Sequence, residues 1–207
     1  MIQLSLLSVF VPTFFLVSLT PGMCMTLAMV LGMTQGVRRT LWMMVGELLG
    51  VGLVAAAAGA GVAALMLRQP ELFAVFKWVG GAYLGYLGVM MWRSRGRMAI
   101  PLETSETPLA SRSQLALQGF VTAVANPKGW AFFVALLPPF LDSSLPLASQ
   151  LAVLVAMILS IELVCLLLYA SGGRTARRLL GKSGNVRLLN RVAGSLMVGV
   201  GIWLAFG

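Results

Sequence analysis

The 207-residue chain has no histidine, a single aspartate (Asp142), two cysteines, and charge on only 10% of its residues. Each scarcity excludes something. Without histidine, haem ligation through imidazole, zincin-type metal sites and serine–histidine dyads cannot be assembled. One aspartate rules out an aspartate dyad. Cys24 and Cys165 lie inside apolar runs and suggest neither a disulfide framework nor a metal knuckle. The first charge is Arg38, so the basic n-region of a cleaved signal peptide is missing and the first apolar segment is expected to stay as an anchor. The chain does not read as an enzyme, and no metal or cofactor is expected.

What remains is mostly apolar. Hydrophobic residues make up 59% of the chain and mean hydropathy is +0.93, far from an ordinary soluble domain. About 20 helical residues cross the ~30 Å hydrocarbon core. Six stretches are long enough, at 4–33, 41–66, 74–92, 114–137, 147–170 and 188–206. The expected class is an all-α polytopic membrane protein with six transmembrane helices. Residues 1–93 form a first group of three, 94–113 a linker with Pro101, Pro108, Glu103 and Glu106, and 114–207 a second group of three. An odd number of crossings per half inserts the halves from opposite faces, which predicts two inverted three-helix repeats.

Charge orients them. Twelve of the 15 lysines and arginines fall between spans 1 and 2 (Arg38, Arg39), between 3 and 4 (Arg93 to Arg112), or from Arg174 to Arg191. The positive-inside rule makes that side cytoplasmic, the linker included, and puts both termini outside. The net charge of +9 is therefore a topology signal. It offers no soluble basic surface for nucleic acid, although the run from Arg174 to Arg191 suits anionic lipid heads. Trp42, Trp78, Trp92 and Trp203 fall near span ends and read as interfacial anchors.

Two motifs interrupt spans 1 and 4: Thr20-Pro21-Gly22 and Asn126-Pro127-Lys128. Proline removes a backbone donor and clashes with the preceding turn, so each should kink or break its helix. In hydrocarbon, freed backbone groups survive only inside protein or along a wet cavity. Breaks in the first helix of each half point to a small-molecule site near the midplane. The half-helix N-termini beyond them carry positive partial charge suited to a carboxylate. Thr20 and Asn126 can cap those half-helices or bond a ligand, and Lys128 can meet an anion. Glu47 and Glu162 are the acids within spans. A charge at helix centre costs roughly 2.5–3.5 kcal/mol, so each needs a partner or a proton. With Lys77, near the end of span 3, they are candidates for ion coupling or charge pairing. Lys77 can equally snorkel to the interface. Gly46, Gly50, Gly81, Gly85 and Gly88 have spacings that let helices approach closely, within the subunit or at a homodimer seam.

Four elements in order carry a family resemblance. They are Thr20-Pro21-Gly22; Gly46-x3-Gly50-x10-Gly61; Lys77-x2-Gly80-x2-Tyr83-Leu84-x-Tyr86-Leu87-Gly88; and Gly119-Phe120 followed by Asn126-Pro127-Lys128, Phe132-Phe133 and Pro138-x-Phe140. Together they make the chain resemble the LysE/RhtB family of bacterial amino-acid exporters. The resemblance covers most of the first four spans. It departs at Met23, where the family usually has a second proline, and at Val51, where many members have an acid that Glu47 can replace from one turn earlier. The resemblance implies secondary active export of an amino acid or related metabolite across the bacterial inner membrane, by alternating access driven by the proton gradient or membrane potential. With few intramembrane acids, a neutral amino acid is the expected partner, besides the lipid bilayer. Two other readings stay open at this point. An intramembrane thiol–disulfide electron carrier would need facing cysteines in spans 1 and 4, and Cys165 falls in span 5. A channel would need a more polar lining.

Overall fold

The computed structural model describes residues 4–93, 109–142, 144–180 and 183–206. Glu103, Glu106, Pro101, Pro108 and the rest of linker stretch 94–108 lie outside them, as do the side chains of Arg174, Arg177, Arg178 and Lys182. The described residues form eight α-helices and one 3-10 turn, with no strand among them. In chain order the helices are α1 (Leu4–Leu19), α2 (Met23–Thr34), α3 (Val37–Arg68), α4 (Pro70–Arg93), α5 (Arg112–Val124), α6 (Pro127–Leu136), α7 (Leu147–Leu180) and α8 (Ser183–Phe206), with the 3-10 turn at Pro138–Phe140 after α6. The all-α polytopic class expected from composition is the class observed.

Both expected breaks are present. The chain bends by 56° between α1 and α2 and by 55° between α5 and α6. Proline alone does not cause this, because Pro12 lies inside α1 without ending it. α3, α4 and α7 are each long and apolar enough to cross a membrane, and each bent pair counted as one span brings the total to five. The expected sixth, 188–206, is helical within α8. Asn185, Arg187, Asn190 and Arg191 occupy its first turns and shorten its apolar stretch.

Small residues decide which helices pair. α4 packs along α8, with Gly81 against Gly201 and Gly88 against Gly194, so the two run antiparallel. A Cβ on Gly88 would come within 2.5 Å of the Gly194 carbonyl oxygen, and one on Gly81 within 2.5 Å of that of Gly201. α3 runs parallel to α5: Gly46 sits on Ala116, Gly119 on Met43, and Gly50 on Phe120 and Ala123. Gly32 of α2 packs on the Ala170 backbone of α7. Four of the five glycines expected to mediate close approach do so within the chain. Gly85 is the exception, with open space where a Cβ would stand.

Two buried clusters flank the breaks. One joins α1 to α6 and the 3-10 turn through aromatic rings: Phe10 meets Phe140 at 4.9 Å between centroids, and Phe14 meets Phe132 at 5.8 Å. The other, rich in methionine, joins α2, α3, α5 and α7 through Met25, Met29, Met43, Met44, Leu115 and Leu166. At that end the Arg39 side chain donates to the Ala110 carbonyl. Arg112 lies 5.5 Å over Trp42, and Arg191 lies 4.8 Å over Trp92. Two of the expected interfacial tryptophans are thus cation–π platforms for arginines in the first turns of α5 and α8. Trp203 packs its ring on Phe140 and Trp78 on Phe206. Asp142, in the loop after the 3-10 turn, accepts hydrogen bonds from the Ser144 amide and hydroxyl, which hold its carboxyl below the usual range.

The glycine seams give a direct test. Gly88→Ala should lower the thermal midpoint in detergent, because overpacking against backbone costs ~1–3 kcal/mol. Gly199→Ala, where a Cβ meets nothing within 4 Å, should leave the midpoint unchanged or raise it. Equal behaviour of the two variants would contradict the α4–α8 seam.

Candidate functional site

The two breaks face each other across one cavity. Thr20, Gly22 and Cys24 line it from the first break, and Asn126, Lys128 and Gly129 from the second. Glu47 of α3 and Glu162 of α7 close its polar side, while Phe14, Val17, Val51, Val54, Phe132 and Phe133 form an apolar wall. The centres of water-sized molecules have ≈ 70 Å³ within it, against the ~10–15 Å³ that a single water needs.

The breaks are satisfied differently. At the first, Thr20 does not cap the helix that follows. Its hydroxyl turns back and donates to the carbonyls of Val17 at 2.7 Å and Leu16 at 3.0 Å. The Tyr169 hydroxyl of α7 donates to the Leu19 carbonyl at 2.7 Å. The first turn of α2 begins at Gly22 with no side-chain cap. At the second break, Asn126 does cap: its side-chain oxygen accepts from the Lys128 amide at 3.1 Å. The Trp130 indole donates to the Val124 carbonyl at 2.9 Å. Of the two residues able to cap or to bond a ligand, Asn126 caps its half-helix and Thr20 does not.

Across the gap, the Asn126 side-chain amide points at the Cys24 sulfur, 4.0 Å away. The Lys128 ammonium stands 4.0 Å from where a Cβ on Gly22 would be. Glycine leaves that space open, so the lysine's charge lies beside the uncapped N-terminus of α2. Both are positive, and a carboxylate is the group that would satisfy both.

The acids lie together. Glu47 is fully buried and Glu162 is 8% exposed. Their carboxyl groups are close enough to interact, with Cys24 beside Glu47 and Ser18 beside Glu162. No backbone amide reaches either Glu47 oxygen, and its polar neighbours are the Glu162 carboxyl and the Cys24 thiol. Lys128 is close enough to Glu162 to interact electrostatically. Lys77 is half-buried on α4 and is not among the residues lining the cavity. Pro21 and Pro127 stand at the breaks themselves. Cys24 and Cys165 are both buried and unbonded, and the described acids and cysteines form no metal-binding group.

Sequence reasoning missed Tyr169, Trp130 and Ser18. A signal existed for Tyr169, because a phenol within an apolar run needs a hydrogen-bond partner when buried. That the partner is Leu19, 150 residues away in sequence, follows only from packing.

A bilayer-embedded helical bundle with a polar site built at two facing helix breaks has the anatomy of a membrane carrier. Residues 15–207 match the family described as LysE type translocator, and the chain belongs to that family. It is 30% identical over 190 residues to the homoserine/homoserine lactone efflux protein of Salmonella typhimurium, covering 92% of this chain and 91% of that protein. It is 30% identical over 204 residues to the leucine efflux protein of an Enterobacter species, covering 92% and 90%. An uncharacterized membrane protein of Vibrio cholerae is 28% identical over 188 residues, covering 91% and 90%. No solved structure matches. The protein is thus a multi-pass membrane translocator of the LysE type.

Tyr169→Phe removes one hydroxyl and leaves the Leu19 carbonyl unmet. The expected cost is ~1–3 kcal/mol, read as a lower thermal midpoint in detergent. An unchanged midpoint would mean that the hydroxyl does not secure the first break.

Proposed function

We propose that the protein is a secondary active exporter of an amino acid or closely related metabolite across the bacterial inner membrane. The observation that carries this reading is Lys128 beside the uncapped start of α2, in a cavity shared by both breaks. The substrate carboxylate binds there. Relatives named for leucine efflux and for homoserine and homoserine lactone efflux support cargo of this size.

Six spans arranged as two inverted halves suit the packing directions. In an alternating six-span chain, spans 2 and 4 run the same way and spans 3 and 6 run oppositely. The parallel α3–α5 seam and antiparallel α4–α8 seam agree with that order and favour α8 as the sixth span. The arginine-bearing ends face the cytoplasm and both termini lie outside. Alternating access then arises as the halves rock about the breaks, with the proton gradient or membrane potential as the drive.

The test is efflux. A strain overproducing the protein should export at least one amino acid faster than a strain lacking it, with saturable kinetics, as read by metabolite analysis of the medium. Unchanged efflux across a broad amino-acid panel would overturn the reading. Lys128→Ala should reduce that efflux about tenfold, the equivalent of ~1.4 kcal/mol, at an unchanged level of folded protein. Normal efflux by this variant would remove Lys128 from the site.

A further inference from the structure

We propose that Glu47 and Glu162 together form the ammonium-binding half of the site, and that the site selects net-neutral α-amino acids with apolar side chains. This rests on the export reading above and specifies its substrate class.

Three observations lead to it. First, Glu47 and Glu162 are both buried, neighbour each other and line the cavity. Two adjacent buried acids need a cation or a proton. Second, several of the backbone oxygens freed at the breaks already accept a hydrogen bond. Leu16 and Val17 accept from Thr20, Leu19 from Tyr169 and Val124 from Trp130. A carboxyl pair carrying charge is a stronger partner for an ammonium group than a backbone carbonyl. Third, the rest of the lining is largely apolar, formed by Phe14, Val51, Val54 and Phe132 among others.

Charge arithmetic then sets the selectivity. Two carboxyl groups in contact away from water do not both ionise, and a cation beside them favours a single negative charge on the pair. Lys128 carries one positive charge. With the site empty, these offset each other across the cavity. An α-amino acid zwitterion inserts between them, its carboxylate to Lys128 and the α2 N-terminus, its ammonium to Glu47 and Glu162. The total stays neutral and every charge has a partner. A lysine-like substrate would place an additional charge against the phenylalanine and valine wall. An amino-acid ester leaves Lys128 unmatched, and a deaminated acid leaves the carboxyl pair unmatched.

The experiment is counterflow of radiolabelled leucine, an apolar zwitterion, by the purified full-length protein in liposomes. Unlabelled leucine should compete at least about tenfold better than lysine, leucine methyl ester or the deaminated acid of leucine. The Glu47→Gln/Glu162→Gln double variant keeps the shape but not the charge, and should lose at least about tenfold in leucine counterflow. Lysine or the ester competing as well as leucine, or a double variant as active as the parent, would overturn this inference and leave the export reading intact. Absence of counterflow for every amino acid tried would overturn both. The competition profile uses the unmodified protein, so the inference remains testable even if the double variant fails to fold.

Discussion

Two gaps in helical hydrogen bonding govern this structure. A backbone carbonyl without a donor costs several kcal/mol in hydrocarbon, and no water reaches the bilayer core. The chain must therefore supply donors at Pro21 and Pro127 from elsewhere in its fold. It does so with Thr20 folding back on α1, Tyr169 reaching from α7 and Trp130 curling over the end of α5, while Asn126 supplies an acceptor to the first amides of α6. Each of these fixes where a helix ends, and together they place the two ends opposite one another. Close helix contact does the rest: the α3–α5 seam seats Glu47 beside the second broken span, and the Gly32–Ala170 contact draws α7, which carries Glu162, against α2.

The breaks are not equivalent, and the difference has chemical meaning. Asn126 satisfies the start of α6, whereas Gly22 leaves the start of α2 bare. The lysine is on α6, yet its ammonium lies against the bare end. The lysine and the bare helix end thus bring positive potential to the same cavity that the two carboxyl groups line. A low-dielectric setting strengthens both, and their mutual proximity makes the empty site tolerable. The aromatic cluster around Phe14 and Phe132 and the methionine cluster around Met25 and Met43 close the space on either side. They are the surfaces that a rocking motion would have to part.

Much of this was legible from residues alone. The breaks appear where Pro21 and Pro127 predict them, since proline acts on its own backbone and preceding turn. Most of the flagged site residues, Thr20, Gly22, Asn126, Lys128, Glu47 and Glu162, line one cavity, because buried polar groups in apolar spans have few other places to go. Lys77 is different: a long flexible chain near a helix end can reach the interface as readily as a cavity, and nothing local decides between them. Thr20 was legible as polar but not as a back-bonding residue, because capping forward and bonding backward use the same hydroxyl.

Membrane class, helix length and the sites of breakage are local properties, set by hydropathy and by proline chemistry, and the sequence by itself determined them. It also determined that any ionisable residue in the spans must find a partner. Tertiary structure decided which partner: Glu47 with Glu162, Lys128 with the bare start of α2, and Tyr169 with Leu19. Those pairings join residues far apart in the chain. They depend on how closely helices approach and at what angle, which glycine and alanine contacts set only when both surfaces are in place.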